Sequence, residues 1–266
     1  MTTTLILAMK SIISRDNPTY KQLKKLAESA RERRKTGHAL LDGAHLVAAC
    51  LAAGRLPEML VVAESAAGNA EISGLLANTA GAQKIRLSDA LFAEISPVET
   101  PTGLLAVVEI PHFPMLTRPE FGLLLEDVQD PGNLGSILRS AAAAGVQAAW
   151  LSAGCADAWS PRVLRAGMGA HFVLPVVERA DLTAVATGFP GQVLAACLEG
   201  ESLYRLDLAG PVAFMIGNEG AGLSRELIAA AGQRFTIPMP GRVESLNAAA
   251  AAAVCLFERV RQTHGL

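Results

Sequence analysis

The first periodic segment opens at Asn17-Pro18, where Asn suits the N-cap and Pro the first helical position. Leu23, Leu26, Ala27 and Ala30 then recur at helical spacing, predicting a basic amphipathic helix that runs to about Arg34. An apolar stretch (Ala39 to Leu41), a short helix closed by Gly54 and a strand-like run from Met59 to Val62 follow. A helical piece from Glu71 to Ala77, a strand from Lys84 to Leu87, a helix opened by Ser88-Asp89 and a strand from Leu104 to Ile110 complete a small α/β unit. Pro111, Pro114 and Pro119 then interrupt all periodicity. The expected organisation is one domain over 1–110, a linker over 111–119 and a second domain over 120–266.

The second part alternates again. Strand-like runs Leu123 to Leu125, Ala148 to Leu151, Phe172 to Pro175, Val193 to Ala196, Val212 to Ile216 and Phe235 to Ile237 are separated by helical patterns. The helices begin near Ile137, Ser160-Pro161, Asp181 and Leu223, and the last runs from Leu246 to Arg261. Continuous apolar strands between helices of about ten residues predict an α/β fold with a largely parallel sheet covered on both faces.

Composition narrows the class. With 51% hydrophobic and 18% charged residues the 266-residue chain is expected to be globular and water-soluble. Its longest apolar runs are far short of the ~20 residues of a membrane span, and no secretory signal is read at the N-terminus, so a cytoplasmic location is expected. The four cysteines lie far apart and the five histidines show no metal-binding spacing, so neither disulfide nor metal is expected. The net charge of −2 conceals an asymmetry. Residues 1–118 carry 13 Lys+Arg against 11 Asp+Glu, whereas 119–266 carry 10 against 14. Seven basic residues crowd between Lys21 and Lys35, a local patch suited to phosphate whatever the total charge. A solvated helix face would look the same. The RNA-contact candidates there are Lys21, Lys24, Lys25, Arg31, Arg33 and Arg34.

Ligands of such sheets bind beyond the carboxyl ends of the strands, and three loops there are rich in turn formers. The first runs from Glu126 through Asp130-Pro131-Gly132-Asn133 into a helix bearing Arg139; the second spans Ile216 to Ser224; the third runs from Ile237 through Met239 and Gly241 to Ser245-Leu246-Asn247. Singly, each has an ordinary reading as a turn, a flexible glycine or a helix cap. The glycine loop matches neither the dinucleotide fingerprint nor the P-loop, and no lysine follows Lys84.

Together the three loops resemble, in order and spacing, the three motifs of the SpoU (TrmH) family of RNA ribose 2′-O-methyltransferases within the SPOUT superfamily. The residues are Asn133, Gly135 and Arg139; then Gly217-Asn218-Glu219-Gly220 with Gly222-Leu223; then Ile237-Pro238-Met239, Gly241 and Ser245-Leu246-Asn247. Ser160 to Ala170 is similar to the family's less constant central stretch. Alanines fill 248–253 where the family more often has Val and Ser, which removes no catalytic side chain. The first domain resembles the family's L30e-like substrate-binding domain through Gly37-His38-Ala39-Leu40-Leu41-Asp42-Gly43, with Asp42 in place of the usual Glu.

The resemblance implies a C-terminal trefoil knot, a homodimer and S-adenosylmethionine as cofactor, held mostly by backbone at Gly217, Ile237, Met239 and Leu246. Ile216 is expected to flank the adenine and Gly220 to let the backbone approach. It implies Arg139 as the residue that activates the ribose hydroxyl, Asn133 positioning Arg139 or the ribose, Glu219 ordering the second loop, and Ser245 with Asn247 bonding cofactor or RNA. Because an arginine pKa exceeds 12, Arg139 is expected to act electrostatically rather than as a base. Ribosomal RNA of the large subunit (23S) is expected over tRNA as substrate, since a folded target rewards an added recognition domain. Two rivals remain: an RNA-binding module without chemistry, and a methyltransferase acting on a base.

Overall fold

The computed structural model describes residues 9–98, 100–114 and 116–265, and the chain forms two compact units. The first comprises residues up to Pro111 together with Trp159–Phe172; the second comprises His112–Ala158 and the residues from Val173 onward. The chain thus leaves the second unit after Ala158 and returns to it at Val173, a detour that a single cut at the proline-rich segment did not anticipate.

In the first unit, strands β1 (Lys10–Ile12), β2 (His38–Asp42), β3 (Met59–Ala63), β4 (Gln83–Leu87) and β5 (Leu104–Glu109) form a mixed sheet in the order β1-β4-β3-β5-β2. Helices α1 (Pro18–Glu28), α2 (Ala30–Thr36), α3 (Ala44–Ala52), α4 (Ala70–Ala77) and α5 (Asp89–Ile95) surround it. Asn17 caps α1 as expected, its Oδ1 accepting from Thr19 N at 2.9 Å. Tyr20, Leu23 and Leu26 of α1 pack into a core with Ile85, Leu87 and Phe92. Each buried side chain of this size stabilises the unit by about 1.5–3 kcal/mol before entropy is counted. The expected single helix to Arg34 is two helices, broken at Ser29, which ends α1 and caps α2 through Glu32 N. Helix α7 (Pro161–Gly167), from the detour, packs against β2, the edge strand of this sheet.

The second unit holds β6 (Phe121–Leu125), β7 (Ala148–Leu151), β8 (Val176–Val177), β9 (Gln192–Ser202), β10 (Val212–Ile216) and β11 (Gln233–Thr236). All pairings are parallel, in the order β11-β9-β10-β6-β7-β8. Helices α8 (Leu182–Gly188) and α9 (Arg225–Ala230) cover one face through Leu182, Ala186 and Leu227. Helices α6 (Pro131–Ala144) and α10 (Ala248–His264) pack on each other, and α10 also packs on β10. Burial on both faces is why β6 and β10 read as unbroken apolar runs. The strand expected at Phe172 to Pro175 is instead a 3-10 turn ending at Phe172 and the short β8. No described helix is long and apolar enough to cross a membrane, and no group of three metal-ligating side chains occurs among the described residues.

Candidate active site

From β6 the chain runs outward through β7 to β8, and β9, β10 and β11 then fill the opposite side, so the direction of winding reverses between β6 and β10. These two strands are parallel neighbours ending together, Leu125 beside Ile216. Their loops therefore leave from one edge at the switch point, where open α/β sheets bind ligands.

Local chemistry fixes both loops. Asp130 caps α6, its Oδ1 accepting from Asn133 N at 2.7 Å, and Pro131 begins the helix. In the second loop Asn218 Oδ1 accepts from Gly220 N and Ala221 N at 2.9 and 3.0 Å. Its Nδ2 donates to the Asp127 carbonyl at 2.9 Å, and Ser224 N donates to Glu126 Oε2 at 2.7 Å, so side chains of each loop bond the backbone of the other. A Cβ on Gly217 would lie 2.3–2.5 Å from the Gly222 carbonyl group and Leu223 N. Glycine is thus required there because the loop folds back on its own backbone. Gly220 meets nothing closer than ordinary contact and has no unusual φ, so the backbone does not demand glycine at that position.

Three motif residues meet in one hydrogen-bonded chain. Asn133 Nδ2 donates to Glu219 Oε1 at 2.7 Å, and Asn247 Nδ2 donates to Asn133 Oδ1 at 2.9 Å. Asn247 also caps α10, its Oδ1 accepting from Ala249 N and Ala250 N at 2.9 and 3.3 Å. One residue from each loop is thereby locked to the next. Arg139 stands apart: it is exposed, and it lies six residues beyond Asn133, ~9 Å along the axis and about 120° around it. The Asn133 amide, engaged by Glu219 and Asn247, makes no hydrogen bond to Arg139. Asn133 therefore organises the loops instead of gripping the arginine, and the guanidinium is left available to a ligand. Ser245 is exposed.

The apolar candidates grade from buried to open: Ile216 lies within the sheet, Ile237 and Met239 are half-buried, and Leu246 is 39% exposed. Among the described residues, no backbone N–H of 239–246 donates to another backbone group. Half-open apolar side chains beside uncommitted backbone donors fit an adenosine moiety, which has an apolar ring face and polar edges. Sequence reasoning missed one neighbouring feature. Strand β9 runs past its expected end, and residues 196–200 bulge out between the pairs Ala195–Arg234 and Glu201–Phe235. Gly200 there presses on the Arg234–Phe235 backbone, where a Cβ would come within 2.7 Å.

The basic candidates lie in the first unit, and one requires correction. Arg33 is 3% exposed and its Nη1 donates to the carbonyls of Leu26 and Ala27, so it caps the end of α1 and cannot reach phosphate. Lys21 pairs with Asp16 at 2.9 Å, and Lys24 lies 3.9 Å from both Glu28 and Glu94. Lys25, Arg31, Arg34 and Lys35 are exposed and make no ion pair among the described residues.

The SpoU rRNA methylase family model matches residues 120–257, and an MRM3-like substrate-binding domain matches residues 17–106. The chain belongs to the SpoU rRNA methylase family. Among its relatives, an uncharacterised tRNA/rRNA methyltransferase of Synechocystis is 35% identical, over 95% of this chain and 94% of its own length. A 23S rRNA guanosine 2′-O-methyltransferase of Bacillus subtilis is 34% identical over 94% of this chain and 98% of its own. The crystal structure of an AdoMet-bound rRNA methyltransferase from Sinorhizobium meliloti superposes with a TM-score of 0.81, at 29% identity, covering 97% of this chain and 99% of that one.

Proposed function

We propose that the chain transfers the methyl group of S-adenosylmethionine to a ribose 2′-hydroxyl of ribosomal RNA. The observation that carries this reading is the chain Asn247–Asn133–Glu219, which joins all three motif loops around the start of α6 while leaving Arg139 free on the same helix. Relatives named as rRNA enzymes, similar over both matched domains, favour ribosomal RNA over tRNA.

The cofactor supplies a methyl group already activated on a sulfonium. With the cofactor bound, the ribose oxygen would take that carbon as the carbon–sulfur bond breaks, and the hydroxyl proton would pass to water or to a phosphate oxygen of the RNA. The protein's part is to hold the oxygen in line and to stabilise the charge that grows on it. Arg139 presents a planar fork of donors to that oxygen. Asn133, Glu219 and Asn247 keep α6 and the two other loops in one arrangement, with Ser245 bonding RNA or cofactor. Backbone of the loops at Gly217, Gly220, Ile237, Met239 and Leu246 holds the cofactor, with Ile216 beneath. The first unit captures RNA through Lys25, Arg31 and Arg34, with lesser help from Lys21 and Lys24. The proposal includes the trefoil knot, a cytoplasmic location and a homodimer; the exposed Leu246 and Phe257, which is 47% exposed, support an interface on the second unit.

The test is transfer of labelled methyl from S-adenosylmethionine to ribosomal RNA purified from cells lacking the protein. Label at a position resistant to alkaline cleavage is expected. Label on an alkali-cleavable nucleotide would indicate base methylation, and cofactor binding without transfer to any RNA would indicate a module without chemistry. Arg139→Ala should lower the rate by about 10²-fold or more, the scale of losing one donor to a developing oxyanion. Its cofactor affinity should stay within a few-fold, and Arg139→Lys should fail as well.

A further inference from the structure

At the starting ends of β2, β3 and β4 in the first unit, a cavity of about 190 Å³ lies against α1. Its floor is apolar, made by Leu23, Leu26, Met59 and Val107, and its rim is polar. The rim carries the amides of Gln22 and Gln83, which make no side-chain hydrogen bond among the described residues, and the pair His38–Glu58. His38 Nδ1 lies 2.7 Å from the Thr36 carbonyl, so Nδ1 carries a proton and Nε2 faces Glu58 Oε2 at 3.0 Å. Burial works against charge on His38 more than any other single influence. The Glu58 and Thr36 contacts together outweigh it and raise its pKa above the ordinary histidine value. One Glu58 oxygen thus lies beside His38 at the rim while the other remains an open acceptor.

The volume is below the ~300 Å³ at which pockets for drug-sized ligands begin, and suits one flat heterocycle. The floor offers an apolar surface, and two free amides offer a donor and an acceptor each. The open carboxylate oxygen accepts only, which selects a ring bearing an amino group. Charge complements this. Lys25 is one turn from Gln22 on the same flank of α1, and Arg31, Arg34 and Lys35 follow on α2. A phosphodiester chain drawn to these cations would pass beside the cavity. Sequence-selective recognition of RNA takes this form, with unstacked bases read on their edges while phosphates supply affinity.

We propose that this cavity receives one unstacked, amino-bearing nucleobase of the RNA whose phosphates lie on α1 and α2. The proposal rests on the reading of the first unit as an RNA-binding domain. The same ring could arrive on a free nucleotide, and the experiment separates the two sources. The full-length protein is titrated with fluorescent 12-mers of oligo(A), oligo(C), oligo(U) and an abasic strand at several salt concentrations. AMP and CMP are then used as competitors.

Oligo(A) or oligo(C) should bind at least five-fold more tightly than oligo(U) and the abasic strand, and millimolar mononucleotide should not displace it. The Gln22→Ala/Gln83→Ala double variant, altered at two exposed side chains and checked for an unchanged melting temperature, should lose that preference with its salt slope intact. Glu58→Gln provides a second test and should narrow the gap between oligo(C) and oligo(U). Equal binding of base-bearing and abasic strands, with salt dependence retained, would overturn the pocket and leave the RNA reading standing. Displacement by micromolar AMP or CMP would overturn the assignment to RNA. Failure of every oligomer to bind would overturn both.

Discussion

Backbone N–H groups can only donate, so the caps of Ala249 and Ala250 fix Asn247 with its oxygen toward α10 and its nitrogen toward Asn133. A carboxylate can only accept, so Glu219 fixes the Asn133 nitrogen from the other side. The two ends agree, and asparagine is the small side chain that satisfies both. Asn133→Asp should therefore place two carboxylates together, raise the pKa of one of them and lower the transfer rate by at least ten-fold at pH 7.5. Partial recovery is expected near pH 6, where a proton restores the donor; a rate profile parallel to wild type would remove Asn133 from its organising role. These three residues were legible because motif spacing carried them. Arg33 was not, because a buried arginine within a basic run has the same sequence signature as its exposed neighbours, and only the path of the carbonyls of Leu26 and Ala27 distinguishes it.

Between α1 and α2 the break at Ser29 had a local signal. Ser29 followed by Glu32 has the pattern of a capping box, but apolar periodicity continuing through Ala27 and Ala30 masked it. Arg33 closes this junction by satisfying carbonyls that the end of α1 would leave open. Arg33→Met should cost about 1–3 kcal/mol, seen as a melting temperature lower by several degrees, with the salt dependence of RNA binding unchanged. Lys25→Ala/Arg31→Ala/Arg34→Ala should do the reverse, with little change in melting and a salt slope reduced by about two. An unaltered slope in the triple variant would return α1 and α2 to a solvated surface. The bulge of β9 was not legible at all: residues 198–202 mix apolar and polar side chains without period, and only pairing with β11 reveals the extra residues.

For the molecule as a whole, Glu94 is one contributor to pH tolerance. It accepts from the Tyr20 hydroxyl at 2.7 Å and from Arg15, and the Arg15 and Tyr20 bonds bring its pKa down to about 2. A carboxylate lowered in the folded state stabilises it above the ordinary value near 4.5 and loses that contribution as pH falls toward 2. Tyr20 mirrors this at the alkaline end. Burial, with the Glu94 bond, raises its phenol to about 12, so its contribution is complete below pH 10 and lost as pH rises toward 12. Melting temperature against pH should show both shoulders, and Glu94→Gln should remove the acidic one; a shoulder that persists would assign it to other carboxylates.

The detour that places Trp159–Phe172 in the first unit also has a consequence for synthesis. Strand β2 gains its sheet partner only when β5 is complete at Glu109, yet the helix that packs against β2 is not finished until some 58 residues later, at Gly167. At ~5–20 residues per second the ribosome needs roughly 3–12 s to make that stretch. During that interval the nascent chain carries a sheet edge without its partner helix, the kind of surface to which another strand can add. Slow codons between Glu109 and Gly167 should thus raise the fraction of this protein that aggregates before release, whereas slow codons after Gly167 should not.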